Sequence, residues 1–166
     1  MPKSAKLLTL TVFLFLSLSA SVHSQHSTAL YDTTVNAMKQ IDSLVSVAGR
    51  ENKHVFLQVG GNWCKWCRKF AAFTAAEAEV DSLLKADFVV GHINYSKENK
   101  NPEAMKRLGY PQRFGFPVFV ILDPKGNRIH TQNSGYLESG EGYDNQKVTE
   151  FLKQWNPNAI RDSSYK

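Results

Sequence analysis

The sequence predicts an α/β fold, with a central mixed four-stranded sheet flanked by helices and an extra helix on its N-terminal side. Three observations lead there. Short apolar runs at 54–59, 88–94 and 116–122, bounded by Gly or turn residues, have the length of buried strands. Residues 29–48 carry apolar residues at three- and four-residue steps, the period of an amphipathic helix, and the Ala-rich stretch 64–85 and residues 145–155 also read as helices. The chain has 166 residues, 42% hydrophobic and 21% charged, which suits one core and is too short for two full-sized domains.

In chain order, residues 1–24 read as a cleavable signal peptide. Lys3 and Lys6 supply the positive start and residues 7–20 the apolar run, and Val22 and Ser24 stand at −3 and −1 of a cleavage after Ser24. As a helix the run spans about 21 Å, against a hydrocarbon core of about 30 Å, so no stable membrane anchor is expected once it is cleaved. The mature chain divides into an N-terminal helical extension, 25–49, and a domain over 50–166. Within 29–48, Leu30, Val35, Met38, Ile41, Leu44, Val45 and Ala48 recur at helical spacing, with Gly49 as the stop. The first strand covers 54–59 and ends at Gly60-Gly61. Residues 64–85 are Ala-rich and helical, with a break expected near Thr74. The second strand covers 88–94. A short helix follows at 101–108, with Asn101 as N-cap and Pro102 at its first position. The third strand, 116–122, turns through Asp123-Pro124-Lys125-Gly126-Asn127 into a fourth, 128–132. A Gly-rich surface loop, 135–142, borders the site described next, and 145–155 closes the chain as a helix carrying Val148, Phe151, Leu152 and Trp155. The helix between the first two strands makes them parallel by a right-handed crossover, and the last two form a hairpin.

The formal charge is +5, and +3 with Lys3 and Lys6 set aside, too mild to imply nucleic acid as a partner. Two Cys exclude a disulfide-rich scaffold. Both lie in Trp63-Cys64-Lys65-Trp66-Cys67, after a strand and at the opening of a helix. In an oxidising compartment such a pair closes as a disulfide unless something reduces it. Cys64 sits where backbone N–H groups lack partners, at the positive end of the helix dipole, and Lys65, Arg68 and Lys69 share its turn; all of these favour a thiolate nucleophile. Cys67, one turn deeper and less exposed, is placed to attack a mixed disulfide on Cys64 and release the product. A zinc site lacks a second Cys pair and would have to be improvised from His54 and His92, so no metal is expected. Arg68 after Cys67 excludes covalent haem attachment. A purely structural disulfide over so short a loop would constrain little.

Gly115-Phe116-Pro117-Val118-Phe119 is the second signal, since a Pro that cannot donate to a ladder opens a strand or lies on an edge. The strand–Trp-Cys-x-x-Cys–helix unit, followed about fifty residues later by a Pro opening a hairpin, resembles the thioredoxin superfamily over residues 50–155. Within it the chain looks most like small secreted or periplasmic thioredoxin-like disulfide reductases and isomerases, through its extra N-terminal helix, Cys-x-Trp-Cys and Phe-Pro-Val-Phe-Val-Ile-Leu-Asp. The resemblance implies a thioredoxin-like fold, a cis Pro117 beside the Cys pair, and pairing of the Phe116 backbone with an extended substrate segment. Trp63 matches the family's Trp before the first Cys. It also implies exchange with protein or peptide disulfides; no flavin or nicotinamide motif is present, so no cofactor is expected beyond the Cys64–Cys67 disulfide, a dithiol electron donor or disulfide recharging partner is needed, and the protein is expected to be a monomer.

Two departures bear on mechanism. The family's buried Asp, six residues before the first Cys, is Gln58 here, which cannot accept a proton. The family's strand Lys corresponds to His92, which either faces Cys67 and substitutes as a titrating group or lies on the other sheet face. Trp66, a large apolar residue at the rim of the Cys pair, is read as a contact for a partner polypeptide, with covering of the disulfide as the alternative. The dipeptide Lys65-Trp66 does not fix the direction of electron flow. The leading reading is a secreted or periplasmic thiol–disulfide oxidoreductase of reductase or isomerase type. Its alternatives are a dedicated oxidant and a non-enzymatic binding or chaperone-like module, the latter favoured by Gln58. Asn94-Tyr95-Ser96 is a glycosylation sequon, relevant in a host that glycosylates secreted proteins.

Overall fold

A computed structural model describes residues 29–161; the signal peptide expected over 1–24 lies outside the described residues. The elements are α1 (Ala37–Glu51), β1 (His54–Gly60), α2 (Lys65–Ala76), α3 (Ala78–Asp87), β2 (Phe88–Asn94), α4 (Pro102–Arg107), β3 (Val118–Leu122), β4 (Arg128–Asn133), β5 (Glu138–Ser139), β6 (Gly142–Tyr143) and α5 (Asn145–Gln154). The main sheet has the order β2-β1-β3-β4. β1 pairs with β2 in parallel and with β3 antiparallel, and β3 and β4 form the hairpin. The mixed four-stranded sheet expected from the sequence is therefore present.

β1 is buried along its whole length, so alternate side chains feed two cores. Val55, Leu57 and Val59 join Ile93, Val118 and Val120 beneath α1 and α4. Phe56 points the other way and joins Phe70, Phe88, Phe119 and Phe151 beneath α2, α3 and α5. The Phe56 ring stands 5.2 Å from Phe119, and Phe70 lies 4.3 Å from Phe119. This second core seats α2, the helix that carries the cysteines. Among the described residues no helix is long and apolar enough to cross a membrane.

Several boundaries differ from the sequence reading. The helix expected from 29 begins at Ala37, because Asn36 caps it by accepting from Lys39 N–H at 3.1 Å. It passes Gly49 and stops at Asn52, which adopts a left-handed conformation at φ 54. The break between α2 and α3 falls at extended Glu77 rather than at Thr74, whose hydroxyl donates to Ala71 O within the helix. Asn101 holds the N-cap position of α4 but makes no side-chain cap; it accepts from Ala37 N–H and donates to Asn94 O, tying the start of α1 to the end of β2. The third strand begins at Val118, after Pro117. The 135–142 loop contains a 3-10 turn and the small β5–β6 hairpin. Asn94 is 2% exposed, so the sequon offers no glycan acceptor in the folded protein.

Candidate active site

β1 ends at Gly60, and four residues later the chain enters α2. Cys64 occupies the N-cap position with extended backbone, φ −82 and ψ 108. The Cys67 N–H donates to Cys64 Sγ at 3.1 Å, one of the unpartnered donors of the first helical turn. Once the sulfur is reduced, that donor and the helix dipole act on the thiolate together. The two cysteines form a disulfide, S–S 2.11 Å. Cys64 is 4% exposed and Cys67 is fully buried.

Around the pair, the Phe116–Pro117 peptide is cis, as the resemblance implied. Trp63 is 56% exposed; its indole N–H donates to Tyr95 O at 2.9 Å and its ring meets Phe116 edge-on at 5.2 Å. Tyr95 stacks on Phe116. An apolar groove of about 560 Å³ opens beside Trp63, lined also by Thr33, Asn62, Tyr95, Lys97 and Lys100. Trp66 is half-buried, packed against the cysteines and edge-on to Tyr143, with Lys69 Nζ 4.6 Å above its ring. Lys65 is exposed at the first position of α2.

Gln58 is buried on the sheet face that meets the cysteines. Its amide donates to Cys67 O at 3.1 Å and to the Tyr31 hydroxyl at 2.7 Å. His92 is the register partner of Gln58 on β2 and shares its face. Its ring partner is Tyr31, edge-on at 5.6 Å. Burial lowers the His92 pKa below the ordinary histidine value, so the ring stays neutral into mildly acid pH. The unfolded chain then binds a proton that the folded chain refuses, and stability must fall as pH drops through about 6.5, the unperturbed histidine value. Denaturant unfolding between pH 5 and 7.5 tests this: His92→Phe should flatten the acid-side loss relative to the native chain. His54, considered as a metal ligand, bonds through Nδ1 to Trp155 O at 2.7 Å and anchors the C-terminal end of α5.

Tyr31 and Asn62 were not singled out in the sequence. Asn62 accepts from Tyr31 N–H at 3.0 Å and donates to Tyr31 O at 2.8 Å, clamping the N-terminal segment to the loop before Cys64. The fully buried Tyr31 ring then closes the rear of the disulfide, in one cluster with Cys64 and Cys67. Gly60 makes room for this: a Cβ there would lie 2.4 Å from Cys67 Sγ and 2.8 Å from the Tyr31 hydroxyl.

Comparison with known proteins agrees with this geometry. The chain is 24% identical over 111 residues to the thiol:disulfide interchange protein DsbD of Actinobacillus pleuropneumoniae, a match covering 63% of this chain and 18% of that protein. The DsbD of Colwellia psychrerythraea is 23% identical over 108 residues, covering 64% of this chain and 17% of that protein. The chain thus spans less than a fifth of these relatives' length. Among solved structures, a disulphide isomerase from Xylella fastidiosa superposes with TM-score 0.66 at 24% identity, covering 75% of this chain and 94% of that one. The oxidised DsbD C-terminal domain of Neisseria meningitidis gives TM-score 0.50 at 18% identity, covering 75% and 100%; likenesses at these identities show the shared fold. The Thioredoxin-like family model matches residues 36–124, from the start of α1 through the turn after β3. That span is more than half of the sequence and contains both cysteines and Pro117, so the chain belongs to the thioredoxin-like family.

Proposed function

We propose that this chain is a thiol–disulfide oxidoreductase acting on protein or peptide disulfides outside the cytosol, as a reductase or isomerase. The carrying observation is the Cys64–Cys67 disulfide at the N-terminus of α2, with the Cys67 N–H on Cys64 Sγ. In the reduced protein, the Cys64 thiolate attacks one sulfur of a substrate disulfide and forms a mixed disulfide, and the other substrate sulfur leaves as a thiol. Cys67 then attacks Cys64 Sγ, the second substrate thiol departs, and the Cys64–Cys67 disulfide returns. A dithiol partner recharges it. The names of the relatives, a thiol:disulfide interchange protein and a disulphide isomerase, support the same class. Phe116, cis Pro117, Trp63 and the adjoining groove form the face on which an extended substrate segment would lie. Lys65 adds positive charge beside Cys64. Trp66 covers one flank of the disulfide. Export through residues 1–24 places the chain in the periplasm or the medium, where it acts as a monomer.

The test is reduction of insulin disulfides with dithiothreitol as the recharging dithiol. The native chain should accelerate it, and the Cys64→Ser/Cys67→Ser variant should not exceed background. Equal behaviour of the two proteins, in reduction and in holding an unfolded polypeptide, would overturn the enzymatic reading in favour of a binding module.

A further inference from the structure

The buried resolving cysteine lacks an acidic neighbour on β1, where Gln58 stands, yet the space behind it is filled by a hydroxyl from another part of the chain. We propose that the Tyr31 hydroxyl is the hydrogen-bond donor that holds Cys67 as a thiolate when the disulfide opens, in place of an acidic residue on the sheet. This rests on the thiol–disulfide exchange proposed above.

Four observations converge. Tyr31 Oη and Cys67 Sγ both close on the same point, the missing side chain of Gly60. Tyr31, Cys64 and Cys67 form one buried cluster. The Gln58 amide donates to the Tyr31 oxygen at 2.7 Å, which occupies a lone pair and leaves the Tyr31 O–H as the group available to donate. Gln58 is itself held by donating to Cys67 O, and the Tyr31 backbone is held by Asn62, so the hydroxyl is delivered at a fixed place.

The chemistry suits a donor rather than a base. Burial pushes the Tyr31 hydroxyl well above the ordinary tyrosine value, against the lowering effect of the Gln58 bond, so it keeps its proton throughout the working range. The other titratable groups near it are His92 from β2, held neutral by burial; Tyr143 from β6, also raised by burial; and Asp32 beside it, whose carboxylate is lowered by accepting from the Thr34 hydroxyl, while the cations Lys65, Arg68 and Lys69 belong to the first turns of α2. None of the neutral groups supplies a charge to Cys67, and β1 and β3 contribute no ionisable side chain at this point. A disulfide sulfur accepts hydrogen bonds poorly, whereas a thiolate accepts them strongly. The donation therefore strengthens as the Cys64–Cys67 bond breaks. In the resolving step, Cys67 attacks Cys64 Sγ, the bond from Cys64 to the substrate sulfur breaks, and the proton lost by Cys67 ends on the released substrate thiol. Tyr31 transfers no proton; it sets the fraction of Cys67 present as thiolate.

The experiment reads ionisation of Cys67 in the Cys64→Ser protein, by thiolate absorbance at 240 nm across a pH series, with and without Tyr31→Phe. A charge-assisted hydrogen bond of ordinary strength corresponds to an upward shift of about one pH unit in the variant, roughly a tenfold loss of thiolate at a fixed pH. Gln58→Met, which leaves Tyr31 in place but removes the donor on its oxygen, should shift the midpoint in the same direction by less. An unchanged midpoint in Tyr31→Phe overturns the proposal; if that variant does not fold, an unchanged midpoint in Gln58→Met overturns it. Exchange of the native chain with glutathione disulfide is measured alongside. Absence of exchange would defeat the proposed function, whereas exchange with an unmoved Cys67 midpoint would defeat the role of Tyr31 alone.

Discussion

Cys67→Ser should turn the protein into a trap: mixed with a disulfide-bonded polypeptide after reduction, it should accumulate a covalent adduct through Cys64 that persists until a dithiol is added. Cys64→Ser should form no such adduct. Both variants should lose catalysed reduction down to background. The asymmetry follows from geometry. Cys64 is the N-cap, at the edge of the exposed Trp63–Phe116 face, and receives the Cys67 N–H. Cys67 is fully buried one turn on, against Gln58 and Tyr31, so a substrate reaches the first sulfur and not the second. Non-reducing electrophoresis and mass spectrometry of the adduct check this. Adduct formation in Cys64→Ser equal to that in Cys67→Ser would reverse the roles.

Gly60→Ala should be strongly destabilising for so small a substitution. The added methyl would meet Cys67 Sγ at 2.4 Å and the Tyr31 hydroxyl at 2.8 Å, distances at which something must move. Neither neighbour is a loose end: Cys67 is fixed in α2 and in the disulfide, and Tyr31 is fixed by Asn62 and Gln58. Overpacking of this kind costs about 3 kcal/mol, at the upper end of its usual range. For a chain of this size that lowers the melting temperature by about 6–12 °C. Gly142→Ala, where the methyl meets nothing within 4 Å, should change stability by only a few tenths of a kcal/mol. Thermal unfolding of both variants checks the contrast, and equal melting temperatures would show that the Cys67–Tyr31 contact across Gly60 yields easily.

The parts of this architecture governed by local patterns were legible in the sequence. The strand runs at 54–59 and 88–94, the turn at Asp123–Asn127 and the Cys pair at a helix start all carry signals within a few residues. The start of α1 was misjudged because Leu30 and Val35 continue the helical spacing, although Leu30 is apolar for another reason: it packs against the disulfide cluster. The capping residue Asn36 was the signal that identifies the true start. Gln58 stood out as a departure from the family pattern, but its partner did not. Tyr31 lies 27 residues away in a segment without regular structure, and only tertiary packing brings its hydroxyl to the Gln58 amide. His92 was placed on one of two faces only by the β1–β2 register, which pairs it with Gln58.

The central claim is that Cys64–Cys67 is a reversible redox couple that delivers electrons to protein disulfides. Equilibration of the chain lacking residues 1–24 in a series of glutathione buffers, with the oxidised fraction read by thiol trapping, tests it most directly, because about 30 mV corresponds to 1.4 kcal/mol for a two-electron couple. The account predicts a single reversible transition lying on the reducing side of the glutathione couple. A midpoint well on the oxidising side would make the protein an oxidant or isomerase and contradict the reductase role, and a disulfide that no buffer in the series reduces would contradict the redox role altogether.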